Sequence, residues 1–385
     1  MSFTYHLVTA NRNPGRYYRI SGTAAAPVVE ADVAIGAGTG EWLDIFSTDG
    51  GTTLYVGGLT PLLFYKSTDG GATWASKSFA GVDYVKAIAG FDGDDSVVVG
   101  CENTFGAGSG WYKLNTTTGL MEYKQASIAA GVNSIWAIPG TDTAPGIGTI
   151  IGIDINDPGN RCIWYSTDRG VTWTHDVATT PGWQGIHCVR TDPRDNLIWY
   201  LCNGGGADLK LRKGYLGAGL TYVATVVGAG TANRYPNVLG VDETGAVWFI
   251  GYTDHVIYRR DPTTGVIAAS KATAGVIGGL WVIDSQNILA SAGNYLYFWD
   301  GSIWHTYHTN FDLGLPTATC RGIWGEPIGV ENAGGDLAGG PRFRIGYDPE
   351  RNSGPRQQDG SLQGDMQIVT GVQNIATFDG GTLED

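Results

Sequence analysis

Charged residues make up only 16% of this 385-residue chain, and the basic ones are scarcer, 24 Lys and Arg against 37 Asp and Glu. No basic cluster occurs, and a formal net charge of −13 denies a nucleic-acid partner the phosphate contacts on which such binding rests. Sulfur is sparse too. There are three Met and five Cys, and the Cys stand at 101, 162, 188, 202 and 320 with no Cys-x-x-Cys pair, which excludes the common thiolate metal spacings. Cys188 and Cys202 could face one another across the turn Asp192-Pro-Arg-Asp-Asn196, although buried free thiols are the expected state. No apolar run approaches the roughly 20 residues of a membrane-spanning helix, so no membrane insertion is expected. The opening Met1-Ser-Phe-Thr-Tyr-His6 shows no leader pattern. Helix-period segments, P-loops and dinucleotide fingerprints in a usable context are missing as well, so no cofactor and no metal is expected.

What the chain does have is glycine, 60 residues of it, with 13 Trp and 19 Tyr. This suits an all-β fold with many turns. Two octapeptides stand out: Ser67-Thr-Asp-Gly-Gly-Ala-Thr-Trp74 and Ser166-Thr-Asp-Arg-Gly-Val-Thr-Trp173, 99 positions apart and each preceded by an aromatic run. Ser and Asp bond the backbone of a tight turn, Gly supplies positive φ, and Thr-Trp opens the returning strand.

Weaker copies of the run and turn set a period. The turn-opening residues are 21, 67, 115, 166, 213, 261 and 300, with steps of 46, 48, 51, 47, 48 and 39. Seven units of this length, each with room for four short strands, predict a single seven-bladed β-propeller. Ser47-Thr-Asp-Gly-Gly-Thr-Thr53 looks like a third octapeptide, but at 20 residues before Ser67 it belongs to the first hairpin of the same blade. The first unit holds only three strands, near Phe3–Thr9, Arg16–Ile20 and Pro27–Val33. The late segment Arg321–Gly325 resembles the opening strands at Ser134–Ile138 and Gly279–Ile283, so it is expected to join the N-terminal three and close the ring. The propeller is expected over 1–346. Residues 347–385 form a Gly-rich polar extension that packs on the disc or reaches a neighbouring subunit, with 366–376 as its one candidate strand.

Ser67, Asp69, Gly71, Thr73 and Trp74, and again Ser166, Asp168, Gly170, Thr172 and Trp173, match every defining position of the Asp-box. The chain therefore resembles the BNR/Asp-box β-propellers, the group of the sialidases, some glycoside hydrolases and many non-enzymatic members. That resemblance implies boxes on the outer part of a blade, between third and fourth strands, with Asp69 and Asp168 structural. A sialidase of that family would also present three arginines, a tyrosine nucleophile beside a glutamate, and an aspartate acid/base. Here Tyr18-Arg-Ile-Ser21 and Phe343-Arg-Ile-Gly346 approach the first arginine motif but lack its proline, and Arg19 falls in a third strand, away from the channel.

Other constellations are thin. A glycosidase needs two carboxylates about 5 to 9.5 Å apart, and the candidates on or near the channel strands are Asp44, Asp242, Glu243, Asp284 and Glu326, all readable as turn or strand-end residues. Asp92-Gly-Asp-Asp95 and Asp154-Ile-Asn-Asp157 read as solvated acidic hairpins without calcium-loop spacing. His305 and His308 alternate across a strand and make a poor metal pair. Most aromatics fall at blade-packing positions. Trp183 and Tyr235, in inter-blade connections, are the weak candidates for ligand contact. The expectation is a non-enzymatic structural or recognition module that contacts other protein subunits, most readily a bacteriophage virion protein of the tail. The alternative is a carbohydrate-active enzyme or a module binding a cell-surface glycan outside the cell.

Overall fold

A computed structural model describes residues 2–325 apart from the stretches 11–13, 37–41, 59–63, 78–83, 103–108, 127–131, 143–146, 155–162, 177–183, 204–207, 227–237 and 316–318 and some shorter ones; residues 326–385 lie outside the described residues. The extension at 347–385 and its candidate strand are therefore not addressed by the structure. Twenty-eight strands and no helix are found among the described residues, in seven four-stranded antiparallel sheets.

Blade 1 contains β1 (Phe3–Ala10), β2 (Gly15–Thr23) and β3 (Ala26–Ile35). Blade 2 is β4 (Trp42–Ser47), β5 (Leu54–Gly58), β6 (Phe64–Ser67) and β7 (Ala75–Lys77), and blade 3 is β8 (Tyr84–Ala89), β9 (Ser96–Glu102), β10 (Gly110–Asn115) and β11 (Leu120–Ala126). Blade 4 follows with β12 (Val132–Ala137), β13 (Ile150–Asp154), β14 (Ile163–Ser166) and β15 (Thr174–His175). Blade 5 has β16 (Gln184–Thr191), β17 (Ile198–Asn203), β18 (Leu209–Gly214) and β19 (Leu220–Val226). Blade 6 has β20 (Leu239–Val241), β21 (Val247–Ile250), β22 (Val256–Arg260) and β23 (Ile267–Ala272). Blade 7 has β24 (Ile277–Asp284), β25 (Asn287–Ala292), β26 (Tyr295–Trp299) and β27 (Trp304–His308), after which β28 (Thr319–Gly325) completes blade 1.

The ring closes as the sequence predicts. β28 pairs antiparallel with β1, Tyr5 opposite Gly325 and Leu7 opposite Ile323, so it is the inner strand of the blade whose other three strands begin the chain. Without that pairing β1 would present an open ladder edge. One opener needs correction. Ser21 lies inside β2, which runs on to Thr23 because a bulge between Arg19 and Ile20 carries its pairing with β3 past Gly22; the turn is the two residues Ala24-Ala25.

The core lies between blades rather than at one centre. The inner two strands of each blade bury aliphatic and aromatic side chains against the next blade, and Trp111, Trp199, Trp248, Trp324, Tyr5, Tyr17 and Tyr200 are among the largest fully buried residues. Each such side chain contributes about 1.5–3 kcal/mol by leaving water. Cys101, Cys188 and Cys202 are buried free thiols. Cys188 stands opposite Leu201 and Cys202 opposite Ile186, so the two are not directly paired across the ladder.

Since strands alternate in direction, first-to-second and third-to-fourth connections emerge on one face of the disc, called here the box face. Second-to-third connections and the links between blades emerge on the other.

Candidate functional site

Both octapeptides form one hydrogen-bonded turn. Ser67 Oγ accepts from the amides of Asp69 (3.4 Å) and Gly71 (2.8 Å) and donates to Asp69 Oδ1 (2.8 Å). Asp69 in turn accepts from the Thr73 amide (2.9 Å) and hydroxyl (2.6 Å), and Trp74 Nε1 donates to the Gly71 carbonyl (3.0 Å). Ser166, Asp168, Gly170, Thr172 and Trp173 repeat the set, with Gly170 N to Ser166 Oγ at 2.7 Å and Thr172 Oγ1 to Asp168 Oδ2 at 2.6 Å. The Thr73 hydroxyl and amide, with Ser67, hold the Asp69 carboxyl down to about 2. Burial raises Asp168, and its bonds from Thr172, Ser166 and Val171 outweigh that and leave it below the usual carboxylate range. Ser47, Asp49 and Gly51 make the same turn in the hairpin between β4 and β5, where Gly51 N donates to Ser47 Oγ at 2.8 Å.

Each box Trp packs on the preceding blade. Trp74 lies edge-on to Tyr17 of blade 1 (5.3 Å between centroids), and Trp173 stacks on Trp111 of blade 3. Arg169 adopts a positive φ of 55° within the second box, over the Phe91 ring, and pairs with Asp94 of blade 3. This corrects the reading of 92–95 as a wholly solvated hairpin: Asp94 is half-buried, and burial pushes its carboxyl up despite Arg169. Its neighbours Asp92 and Asp95 lie outside the described residues.

The central channel is the candidate site. Near its box-face end the seven inner strands place Phe46, Ala89, Trp136, Arg190, Gly240, Trp281 and Trp324 at one level, each opposite its second-strand partner. Trp136 of blade 4 and Trp281 of blade 7 meet across the axis with centroids 6.5 Å apart. Arg190 of blade 5 lies over both, 4.3 Å from the Trp136 centroid and 5.8 Å from that of Trp281. Gly240 adds no side chain at this level. Arg190 is 6% exposed; its guanidinium donates to the Val189 carbonyl (2.7 Å), and Trp136 Nε1 donates to Thr191 Oγ1 (3.0 Å). The cluster forms an indole and guanidinium floor, in which each ring face stabilises the cation by up to about 2 kcal/mol when water is excluded.

Three residues before the floor, six inner strands each carry one extra residue in the ladder. These are Arg321, Leu43, Lys86, Asn133, His187 and Gly278, in blades 1, 2, 3, 4, 5 and 7. The equivalent position of blade 6, residue 237, lies outside the described residues. A β-bulge frees its extra residue from ladder pairing and re-aims it. Lys86 at this level is 9% exposed. Sequence reasoning recognised the Ile-Trp and Leu-Trp pairs of β12, β24 and β28 as inner strands but missed the bulges. Their signal was a recurrent offset of three residues, which has meaning only once the second strand's register is known.

The carboxylates proposed for glycosidase chemistry are engaged in hydrogen bonds within the fold. Asp44 lies mid-strand and accepts from the Ile45 amide (3.0 Å) and, across to blade 3, from the Ile88 amide (2.8 Å). Asp242 caps its hairpin through the Thr244 and Ala246 amides (3.0 Å each) and Trp248 Nε1 (2.9 Å). Glu243 accepts from the Ser285 amide of the next blade (2.7 Å), and burial raises its carboxyl. Asp284 accepts from Gln286 N and Asn287 Nδ2 (2.8 Å each). Arg19 pairs with Glu30 of the outer strand β3, away from the channel. His305 faces Asp300 (2.7 Å), whereas His308 Nδ1 accepts from the Asn310 and Phe311 amides (3.2 Å each). No metal-competent cluster of His, Cys, Asp and Glu occurs among the described residues. Trp183, Tyr235, Glu326 and Phe343-Arg344 lie outside the described residues.

No protein-family model matches the chain, and no curated protein does. Solved structures match it by fold. A putative 6-phosphogluconolactonase from Bacteroides uniformis is similar with a TM-score of 0.60 and 10% identity, over 84% of this chain and 99% of that one. A functionally unknown protein from Desulfotomaculum acetoxidans aligns with a TM-score of 0.57 and 12% identity over 83% and 99%. A nidogen/laminin complex gives 0.51 and 11% over 85% and 98%. At these identities the likeness is one of fold.

Proposed function

We propose that this propeller is a non-catalytic recognition or assembly module, and that its setting is a bacteriophage virion, as a tail component. The supporting observation is how its acids are used. Asp69 and Asp168 hold hairpins together, and Asp44, Asp242, Glu243 and Asp284 are spent on amides and side chains of turns and blade junctions. Glycoside hydrolysis asks for an acid and a nucleophile facing one bond; Asp242 and Glu243 are consecutive on one hairpin, Asp44 and Asp284 stand on the inner strands of blades 2 and 7, and each is bonded to amides or side chains of the fold.

The virion setting draws on composition, an acidic, Gly-rich chain with few charges, and on topology. Ring closure is complete at Gly325, so residues 347–385 are not needed for it and are the proposed contact with other subunits. One propeller of similar fold was solved as a nidogen/laminin complex, a protein assembly. Mass spectrometry of purified particles, with and without residues 347–385 in the encoded chain, tests the reading. Stoichiometric incorporation that is lost with the extension is the expected result. A full-length chain that stays monomeric and cleaves sialosides or an envelope polysaccharide would overturn it.

A further inference from the structure

We infer that the outer edge of blade 5, strand β19, is a pairing surface for a second copy of this chain, joined antiparallel and edge to edge. The inference rests on that rim alone, so its failure leaves the assembly reading standing.

The seven outer strands differ in how their open edges are guarded. β3 carries Pro27, Glu30 and Asp32, β11 carries Glu122 and Lys124, β23 carries Lys271, and β27 carries two histidines. β7 is three residues long and ends in Lys77, and β15 is only two residues long. Charge, proline and brevity are the usual means of keeping an edge from another chain. β19, Leu220-Thr-Tyr-Val-Ala-Thr-Val226, has none of them. It is seven residues long, uncharged and rich in β-branched side chains, and among the described residues it pairs only with β18. A bulge against the third strand is common to β3, β11, β19 and β23, so it does not set β19 apart.

A second observation falls on the same hairpin. Among the described residues, two of the exposed large hydrophobic side chains stand on β18–β19, Tyr215 (51%) in the turn and Tyr222 (50%) on the strand, and no other hairpin carries two. Tyrosine is enriched where protein surfaces meet. The Tyr222 ring is held in place, since its hydroxyl donates to Thr225 Oγ1 (2.9 Å) and the Arg212 guanidinium lies 5.7 Å from its centroid. The strand also suits its own copy. In no antiparallel register do like charges of two β19 strands stand opposite, and threonine and valine pairs across a ladder are favourable. Blade 5 has Arg190, Arg194, Lys210, Arg212 and Lys213 against Asp192, Asp195 and Asp208, so the acidic excess that keeps copies of net charge −13 apart is not concentrated here. Two edge strands bury little surface, which makes such a dimer weak and reversible.

The test is sedimentation of the full chain over a range of concentrations, together with hydrogen exchange of residues 220–226. A reversible dimer is expected, with exchange of that segment slowing as the dimer fills. Thr221 is exposed, so Thr221→Lys puts a charge on the edge and should weaken the dimer about tenfold. Thr174→Lys, on the equally exposed outer strand β15, should change nothing. Should Thr221→Lys lower the melting temperature, Tyr222→Ala decides, because it removes an exposed ring without adding charge and should weaken the dimer as well. Truncation after residue 346 should leave the dimer intact, which separates this edge from the subunit contact proposed for 347–385. A chain monomeric at every concentration, a dimer as tight in both β19 variants, or a dimer lost with residues 347–385 overturns the assignment.

Discussion

The indole of Trp173 lies stacked on that of Trp111, with centroids 5.1 Å apart and planes 22° from parallel. The first residue ends an Asp-box in blade 4 and the second is fully buried in blade 3, where it also meets Trp164 (5.5 Å). Trp74 and Tyr17 repeat the relationship between blades 2 and 1. The box therefore does more than turn the chain: it presents an aromatic to the previous blade. Trp111→Ala should cost about 3–5 kcal/mol of unfolding free energy, and Trp173→Ala less, because Trp173 is only half-buried. In urea denaturation the double mutant should lose less than the sum by about 0.5–1.5 kcal/mol. Strict additivity would separate the two rings energetically.

Gly71 and Gly217 both have positive φ, 89° and 72°, yet they should differ sharply as alanines. At either position the left-handed backbone costs about 1–2 kcal/mol. At Gly71 an added Cβ would also come within 2.2 Å of Tyr17, whereas at Gly217 nothing lies within 4 Å. Gly71→Ala should lower the melting temperature clearly more than Gly217→Ala. Equal shifts would show that the blade 1 and blade 2 junction yields freely.

Acid should weaken the box of blade 2. The Asp69 carboxyl is held at about 2, chiefly by the Thr73 hydroxyl and amide and by Ser67, against 3.8 for the ordinary group. A depressed value means the stabilisation is complete above about pH 4 and is lost as pH falls through the folded value. Melting temperatures of wild type and Asp69→Ala should thus stay apart from neutral pH to about pH 4 and converge toward pH 2. A gap that widens on acidification would contradict the hydrogen-bond pattern.

Closure by β28 predicts a cooperative dependence on one short segment. Truncation before Thr319 removes the inner strand of blade 1, strips β1 of the pairing that runs from Tyr5–Gly325 to Ala10–Thr319, and deletes the buried Ile323 and Trp324. The truncated chain should lose the single sharp unfolding transition and associate through the exposed β1 edge. Light scattering and calorimetry would show both effects. Truncation after residue 346 should leave the melting transition of the propeller in place.

The period of the Asp-box copies, the three-strand first unit and the late inner strand were all legible in the sequence, because each is a local signal: a turn chemistry, an alternation, a missing fourth strand. The box residues were legible too, since Ser67 and Asp69 bond atoms within six positions of themselves. Ser21 misled because strand length depends on pairing, and a bulge against β3 carries β2 past it. Asp94 misled because its partner Arg169 arrives from the next blade. The channel was invisible for the same reason. That Arg190 lies over Trp136 and Trp281 depends on strand registers and on contacts across a closed ring. Local propensity determined how each blade is built. Only the closed ring, by bringing distant inner strands to one axis, decided that Arg190 of blade 5 lies against indoles of blades 4 and 7.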